Sequence, residues 1–219
     1  MPETLIWIYA ALVGAAIGSF LNVCVSRLPA GESVISPRSR CPSCEHPIAW
    51  YDNIPVVSYL LLRGRCRACE TRISAQYPLV ELAVAAIWLA MAVRFGASVE
   101  ALRGATFLTL LLGIALTDAR HMVIPDHFSL GGVLLGLVFA APPGDFPLGR
   151  AITGAALGYG LLWLVAWGGE KVFRKPALGM GDVHMMAMVG AFVGTSGALL
   201  TVLLGSVLGL LVGVPISWW

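Results

Sequence analysis

Charge is what this sequence has least of. Asp, Glu, Lys and Arg together make up 12% of its 219 residues, against 58% hydrophobic residues. A soluble domain carries about twice that charged share, so an ordinary water-soluble fold is excluded. Mean hydropathy of +0.84 agrees. Strict apolar–polar alternation is missing too, which removes a transmembrane β-barrel. Met1 to Thr4 lacks the positive charge of a secretory leader, and the apolar run behind it, Leu5 to Val25, is too long for one. No Gly-rich Rossmann loop is present, so a nucleotide-bearing cofactor cannot be placed. Neither a Ser-His-Asp nor a Cys-His arrangement can be read.

What remains is a series of apolar runs, near 5–25, 77–95, 102–117, 127–141, 148–168, 183–195 and 198–217. Crossing hydrocarbon takes about 20 apolar residues of helix. The expected fold is therefore an all-α polytopic membrane protein, a bundle of about seven spans with a small domain inserted after the first. Gly131-Gly132, Gly154 to Gly160 and Gly205 to Gly213 supply the small residues that let helices approach closely in lipid.

Lys and Arg orient the chain. Seven Arg lie in 26–76, Arg120 lies in the next loop on that side, and Lys171, Arg174 and Lys175 lie in the third. Arg94, Arg103 and Arg150 face them across the membrane. The richer side is expected to be cytoplasmic and the N-terminus outside. A basic patch of this kind between two spans reads as a topology signal or a lipid-headgroup contact, not as a nucleic-acid site.

The domain division expected is 1–25 as the first span, 26–76 as a cytoplasmic segment and 77–219 as the membrane core. The segment contains Cys41-Pro42-Ser43-Cys44 and Cys66-Arg67-Ala68-Cys69. Two Cys-x-x-Cys knuckles offer four thiolates from two tight turns, which suits a structural four-cysteine zinc site better than two disulfides in a reducing compartment. Cys24, inside the first span, reads as a small buried apolar residue. Trp50 and Tyr51 with Ile54 to Leu62 form either an amphipathic piece on the membrane surface or an internal element of the zinc segment. Glu81, just inside the second span, is either an interfacial acid pairing with Arg72 or a polar group lining the cavity between bundle and zinc segment.

Two further acids are harder to explain away. Asp182, in Gly179-Met180-Gly181-Asp182, opens an apolar run, and Asp118 closes another. A carboxylate at mid-membrane costs about 2.5–3.5 kcal/mol. Asp182 alone would pass as a helix cap, with Gly179 and Gly181 allowing another chain to come close. Asp118 lies at a helix C-terminus, where the dipole disfavours negative charge. Both are expected at cytoplasmic helix ends, which suggests one shared site. Asp126, after Pro125, is expected to cap the following helix with Ser129 behind it. His121, His127 and His184 show no ligand spacing and read as interfacial side chains.

Taken together these residues resemble the type IV prepilin peptidases, the leader peptidases and N-methyltransferases of bacterial pilus and type II secretion systems. The resemblance runs through Gly18-Ser19-Phe20-Leu21-Asn22-Val23, Arg27-Leu28-Pro29, both knuckles, Trp50-Tyr51-Asp52-Asn53-Ile54-Pro55, Arg63-Gly64-Arg65-Cys66, Ile73-Ser74 and Tyr77-Pro78-Leu79-Val80-Glu81-Leu82. It continues to Asp118, Pro125-Asp126 and Gly179-Met180-Gly181-Asp182. It implies Asp118 and Asp182 as a catalytic pair, supported by Gly179 and Gly181, and zinc on Cys41, Cys44, Cys66 and Cys69. It further implies cleavage of a basic leader after a glycine at the cytoplasmic face of the inner membrane, on type IV prepilins or pseudopilins. Methylation of the new N-terminus by S-adenosylmethionine would follow, with the donor's binding residues unknown. Arg120 stands where many members have an acid, His184 where Lys is common, and Glu45 and Glu70 where Gly is frequent. The sequence ends at Trp218-Trp219, where the family usually continues into a further apolar span. A presenilin-like protease without methylation, a proton-coupled transporter and a zinc-bearing scaffold are the competing classes.

Overall fold

The computed structural model describes residues 2–142 and 144–217, with side chains described as far as residue 211. Two compact units divide the chain, Met1–Val123 and Ile124–Trp219. Regular structure in both is helical; among the described residues the only β pairing is a pair of isolated bridges, Arg40 with Pro47 and Arg65 with Arg72.

In the first unit α1 (Glu3–Arg27) packs against α3 (Gln76–Phe95), and α4 (Val99–His121) packs against both. The α1–α3 contact is set by Gly14 and Gly18, one helical turn apart. A Cβ on Gly14 would lie 2.9 Å from the Val84 carbonyl oxygen, and one on Gly18 2.8 Å from Glu81 Cα. The two backbones therefore touch, as small-residue pairs four apart allow in lipid. The Trp88 indole donates to Thr109 Oγ1 at 3.2 Å, tying α3 to α4. Helix α4 starts properly capped, the Ser98 hydroxyl accepting from the Ala101 amide at 3.1 Å. It ends on Met122 in the left-handed region, whose amide donates to the Asp118 carbonyl.

Between α1 and α3 lies the inserted segment. It holds short 3-10 turns at Leu28–Ala30 and Trp50–Asn53 and a single helical turn, α2 (Val57–Leu61). Trp50, Leu60 and Leu61 are 68–80% exposed. This stretch thus presents an outward apolar face built on short helical turns, which suits either reading of it.

The second unit contains α5 (Asp126–Ala140), α6 (Leu148–Phe173) and α7 (Met180–Ser217). Here α6 and α7 come closest. A Cβ on Gly154 would run into the Gly190 carbonyl, and one on Gly158 into the Met186 carbonyl. Gly136 of α5 gives the same close approach to Ala191.

All seven expected apolar runs fall on helix. The last two are joined as α7 and separated by a break at Gly194, where φ is 75° and ψ −175°. That conformation needs glycine, and it places the interruption before the expected one. Five helices among the described residues are long and apolar enough to cross a membrane; α5, at 15 residues, is shorter.

Candidate active site and metal centre

The inserted segment is built twice over. Cys41 N–H donates to the His46 carbonyl and Cys66 N–H to the Thr71 carbonyl; Glu45 and Glu70 N–H return to the carbonyls of Cys41 and Cys66. Ile48 N–H reaches Ser39 and Ile73 N–H reaches Gly64. Every one of these bonds recurs at the same offset, so the two halves, Cys-x-x-Cys-Glu-x-x-Ile in both, are copies of one knuckle. Glu45 and Glu70 have φ of 55° and 57°. This left-handed turn after each second cysteine explains why glycine is the residue expected there.

The knuckles bring the four Sγ atoms of Cys41, Cys44, Cys66 and Cys69 within 4.8 Å of one another. None of the four is joined to another by a disulfide. Cys41 Sγ and Cys69 Sγ are 3.8 Å apart. Tetrahedral zinc with bonds of about 2.3 Å needs sulfurs about 3.8 Å apart, so this donor set fits the metal. The Thr71 hydroxyl and amide draw Cys69 down to about 6, and the amides of Cys44 and Ser43 lower Cys41. The His46 amide acts the same way on Cys44, but the crowding of Cys69 and the other sulfurs outweighs it and pushes that thiol up to about 12. Four thiols this close cannot all ionise without a cation among them.

Beside the four cysteines Arg67 forks onto Asp52, with Nε to Oδ2 at 2.8 Å and Nη2 to Oδ1 at 2.7 Å. The guanidinium holds the Asp52 carboxyl below its ordinary range. It also lies over the Tyr51 ring, 5.7 Å from the centroid.

Glu81 is buried at 8% exposure. Its Oε2 accepts the Val56 amide at 2.7 Å. Val56 has φ of 61° and ψ of −48°, a region a β-branched residue enters only when its surroundings force it. Of the two roles expected for Glu81, pairing with Arg72 is not seen; it lines the cavity between the α1 and α3 ends and the four-cysteine segment.

Asp118 is exposed in the last turn of α4, and Asp182 is half-buried in the first turn of α7. They belong to different units. Asp182 sits where the α7 dipole favours a carboxylate, its amide donating to the Gly179 carbonyl at 3.2 Å. A Cβ on Gly179 would lie 3.3 Å from Asp182 Oδ2, and one on Gly181 2.9 Å from Ile124 Cβ. The glycines thus keep both the carboxylate and the neighbouring chain clear.

Two expectations need correcting. Asp126 is not the cap of α5: Pro125 occupies that position, Asp126 is the first helical residue, and it makes no cap hydrogen bond. Its Oδ1 lies instead 2.9 Å from His184 Nδ1. Nor is His184 a loose interfacial side chain, since its ring also stacks on Tyr159, 6.2 Å between centroids and 16° between planes. The pair spans 58 residues, beyond any local motif. The only sequence signal for it is that both residues open apolar runs on the same side.

Residues 12–95 match the bacterial peptidase A24 N-terminal domain and residues 105–214 match the type IV leader peptidase family. The chain belongs to the type IV leader peptidase family. It is 42% identical to a prepilin leader peptidase/N-methyltransferase of Myxococcus xanthus strain DK1622, over 94% of this chain and 62% of that protein. The protein of the same description from Pseudomonas putida is 41% identical, over 94% of this chain and 79% of its own length. A third, from Klebsiella pneumoniae, is 40% identical, over 89% and 88%. The chain thus spans less than two thirds of the Myxococcus relative and more of the other two. No solved structure matches it.

Proposed function

We propose that this chain is a membrane-embedded aspartic endopeptidase that removes the basic leader of type IV prepilins and pseudopilins after a glycine. It then N-methylates the exposed residue. The observation that carries the reading is the pair of carboxylates at helix ends of a family member, Asp118 closing α4 and Asp182 opening α7. On this reading the zinc segment and both carboxylates face the cytoplasm at the bacterial inner membrane, and the N-terminus lies outside.

The chemistry follows from bringing two carboxyls together. Adjacent carboxylates cannot both ionise freely, so the pair holds one proton between two separated titration steps. The ionised member takes a proton from water, which attacks the scissile carbonyl. The protonated member donates to the carbonyl oxygen, and the proton gained from water passes to the departing amine. Zinc held by four thiolates has no open position for a reacting water. Cys41, Cys44, Cys66 and Cys69 would hold it as a structural ion, and its chemistry is to fix the two knuckles. S-adenosylmethionine supplies the methyl group.

Mass spectrometry of a prepilin-like peptide incubated with purified protein and the methyl donor tests the reading. Cleavage after glycine with a methyl increment on the new N-terminus is expected. An intact peptide would overturn it.

A further inference from the structure

A cavity of about 750 Å³ lies wholly in the first unit, between the cytoplasmic ends of α1 and α3 and the zinc segment. That is the size of a cofactor site, for which about 300–1,000 Å³ is usual. Its lining is chemically mixed. Arg27 and Arg72 supply cations, Glu32 and Glu81 anions, and Tyr51 and Tyr77 line it with about half of each side chain exposed. Cys41 and Cys66 border it as well, so the metal centre shapes one wall.

One acid in this cavity is only half used by the fold. Glu81 is buried and uses Oε2 on the Val56 amide; Oε1 makes no hydrogen bond among the described residues. An ionisable side chain at the head of a membrane helix is costly and is retained for function by default. Here it faces a cavity and has one acceptor oxygen to spare.

We infer that this cavity is the methyl-donor site and that Glu81 receives the proton of the substrate amine there. The inference rests on the methyltransferase half of the proposed function. The donor is a zwitterionic amino acid joined through a sulfonium to adenosine, and it calls for a cation, an anion, an aromatic face and polar groups in one pocket. The lining named above holds all of them. An α-amine has a pKa of about 7.7–8.0 and is mostly protonated at neutral pH, so it cannot attack until it loses a proton. In the transfer its lone pair forms the N–CH3 bond as the S–CH3 bond breaks. The bonding pair stays on sulfur, leaving a thioether, and the proton goes to the Glu81 carboxylate. A base in that position is worth about 10²–10⁴-fold in rate.

The test uses the full chain in detergent micelles with S-adenosylhomocysteine as probe, titrated by calorimetry. Ser74, exposed and part of the lining, is replaced in Ser74→Trp to fill the cavity. Affinity for the probe should fall at least about tenfold (about 1.4 kcal/mol) while zinc content stays at the wild-type value. Should that variant lose its zinc, photo-crosslinking of labelled donor to the unmodified chain decides instead, with labelled peptides expected inside 19–81. Glu81→Gln still offers an oxygen to the Val56 amide. It should bind the probe within about threefold of wild type, yet lose about 100-fold in kcat for methylation of a pre-cleaved peptide, and Glu81→Asp should recover part of that loss. Probe binding unchanged by Ser74→Trp, or crosslinks outside 19–81, would overturn the cavity assignment while methylation by the wild type upheld the function. Near-normal kcat in Glu81→Gln would overturn the role of Glu81. Wild-type protein that neither binds the probe nor methylates would sink the methyltransferase reading itself.

Discussion

The four-cysteine segment and the second helical unit are each held together, by opposite means. In 26–76 side chains do the holding: four thiols converge within 4.8 Å, Arg67 forks onto Asp52, and Glu81 fixes the Val56 amide. Apart from Gly64, Ser58 and Cys41, little of the segment is buried. So small a piece cannot stabilise itself by burial and needs a metal or an equivalent staple. In the second unit the missing side chains do it. Gly154, Gly158 and Gly190 let α6 and α7 pack backbone to backbone, with Val183, Met188 and Ala191 completely or almost completely buried around them. One region is thus stabilised by ligation and hydrogen bonding, the other by dispersion at close range.

The glycines of the second unit should give the largest effect. Gly158→Leu drives a side chain into the Met186 carbonyl and should destabilise the second unit by about 3 kcal/mol or more. Gly160→Leu, two residues along where a Cβ meets nothing within 4 Å, should change stability by less than about 0.5 kcal/mol. Thermal unfolding in micelles reads both, and equal losses would mean that the α6–α7 approach is not what holds this unit.

Chelation should act on the other region alone. Protein as purified should carry about one zinc per four-cysteine site. Removing it should open 26–76 to protease while helical circular dichroism stays close to that of the holoprotein. Acid should do the same, because protons compete with the metal for thiolates. Loss of helix signal in step with zinc would contradict the division.

A smaller effect is expected at the His184–Asp126 contact, which joins the starts of α7 and α5 close to Asp182. His184→Ala should lower cleavage roughly tenfold, the equivalent of about 1.4 kcal/mol. Asp126→Asn should stay within about threefold, since an amide oxygen still accepts from the imidazole. Complete inactivity of a stable Asp126→Asn protein would make Asp126, not Asp118, the reacting acid of this loop.

The smallest effect belongs to Asp52→Asn. Arg67 lowers the Asp52 carboxyl, so the ion pair adds stability above the ordinary carboxylate pKa of about 3.9, and that contribution fades as pH falls through the lower folded value. Zinc retention of wild type and variant should therefore differ at pH 7 at low salt, and the gap should narrow with added salt because the Arg67 guanidinium is exposed. A gap independent of salt would point to packing instead of charge.

What could be read in advance was whatever is local in the chain. Seven apolar runs became helix because periodicity and composition act within one segment, and the knuckles assembled because four thiols at that spacing have few other uses. Glu45 and Glu70 looked like departures, and the left-handed turn they occupy accounts for the glycine preference at those places. Contacts between distant segments were not legible. Asp126 resembled a cap because Pro-Asp before an apolar run usually is one, and nothing near it in sequence names His184 as its partner. Val56 gives no sign of its positive φ, so the Glu81 bond that holds it was equally hidden. The break at Gly194 lay in a stretch rich in small residues, where one glycine looks like another.

Separability of the two activities is the claim on which the account turns, and a four-way assay tests it most directly. Asp182→Asn and the double variant Cys41→Ser/Cys44→Ser are each given an uncleaved and a pre-cleaved peptide. Asp182→Asn should leave the uncleaved peptide intact, losing at least about 10³-fold in cleavage, and still methylate the pre-cleaved one. The cysteine variant should lose methylation of the pre-cleaved peptide far more than it loses cleavage. If instead the cysteine variant, folded in the membrane, lost both activities equally, the zinc segment would be part of the peptidase site and the division drawn here would be wrong.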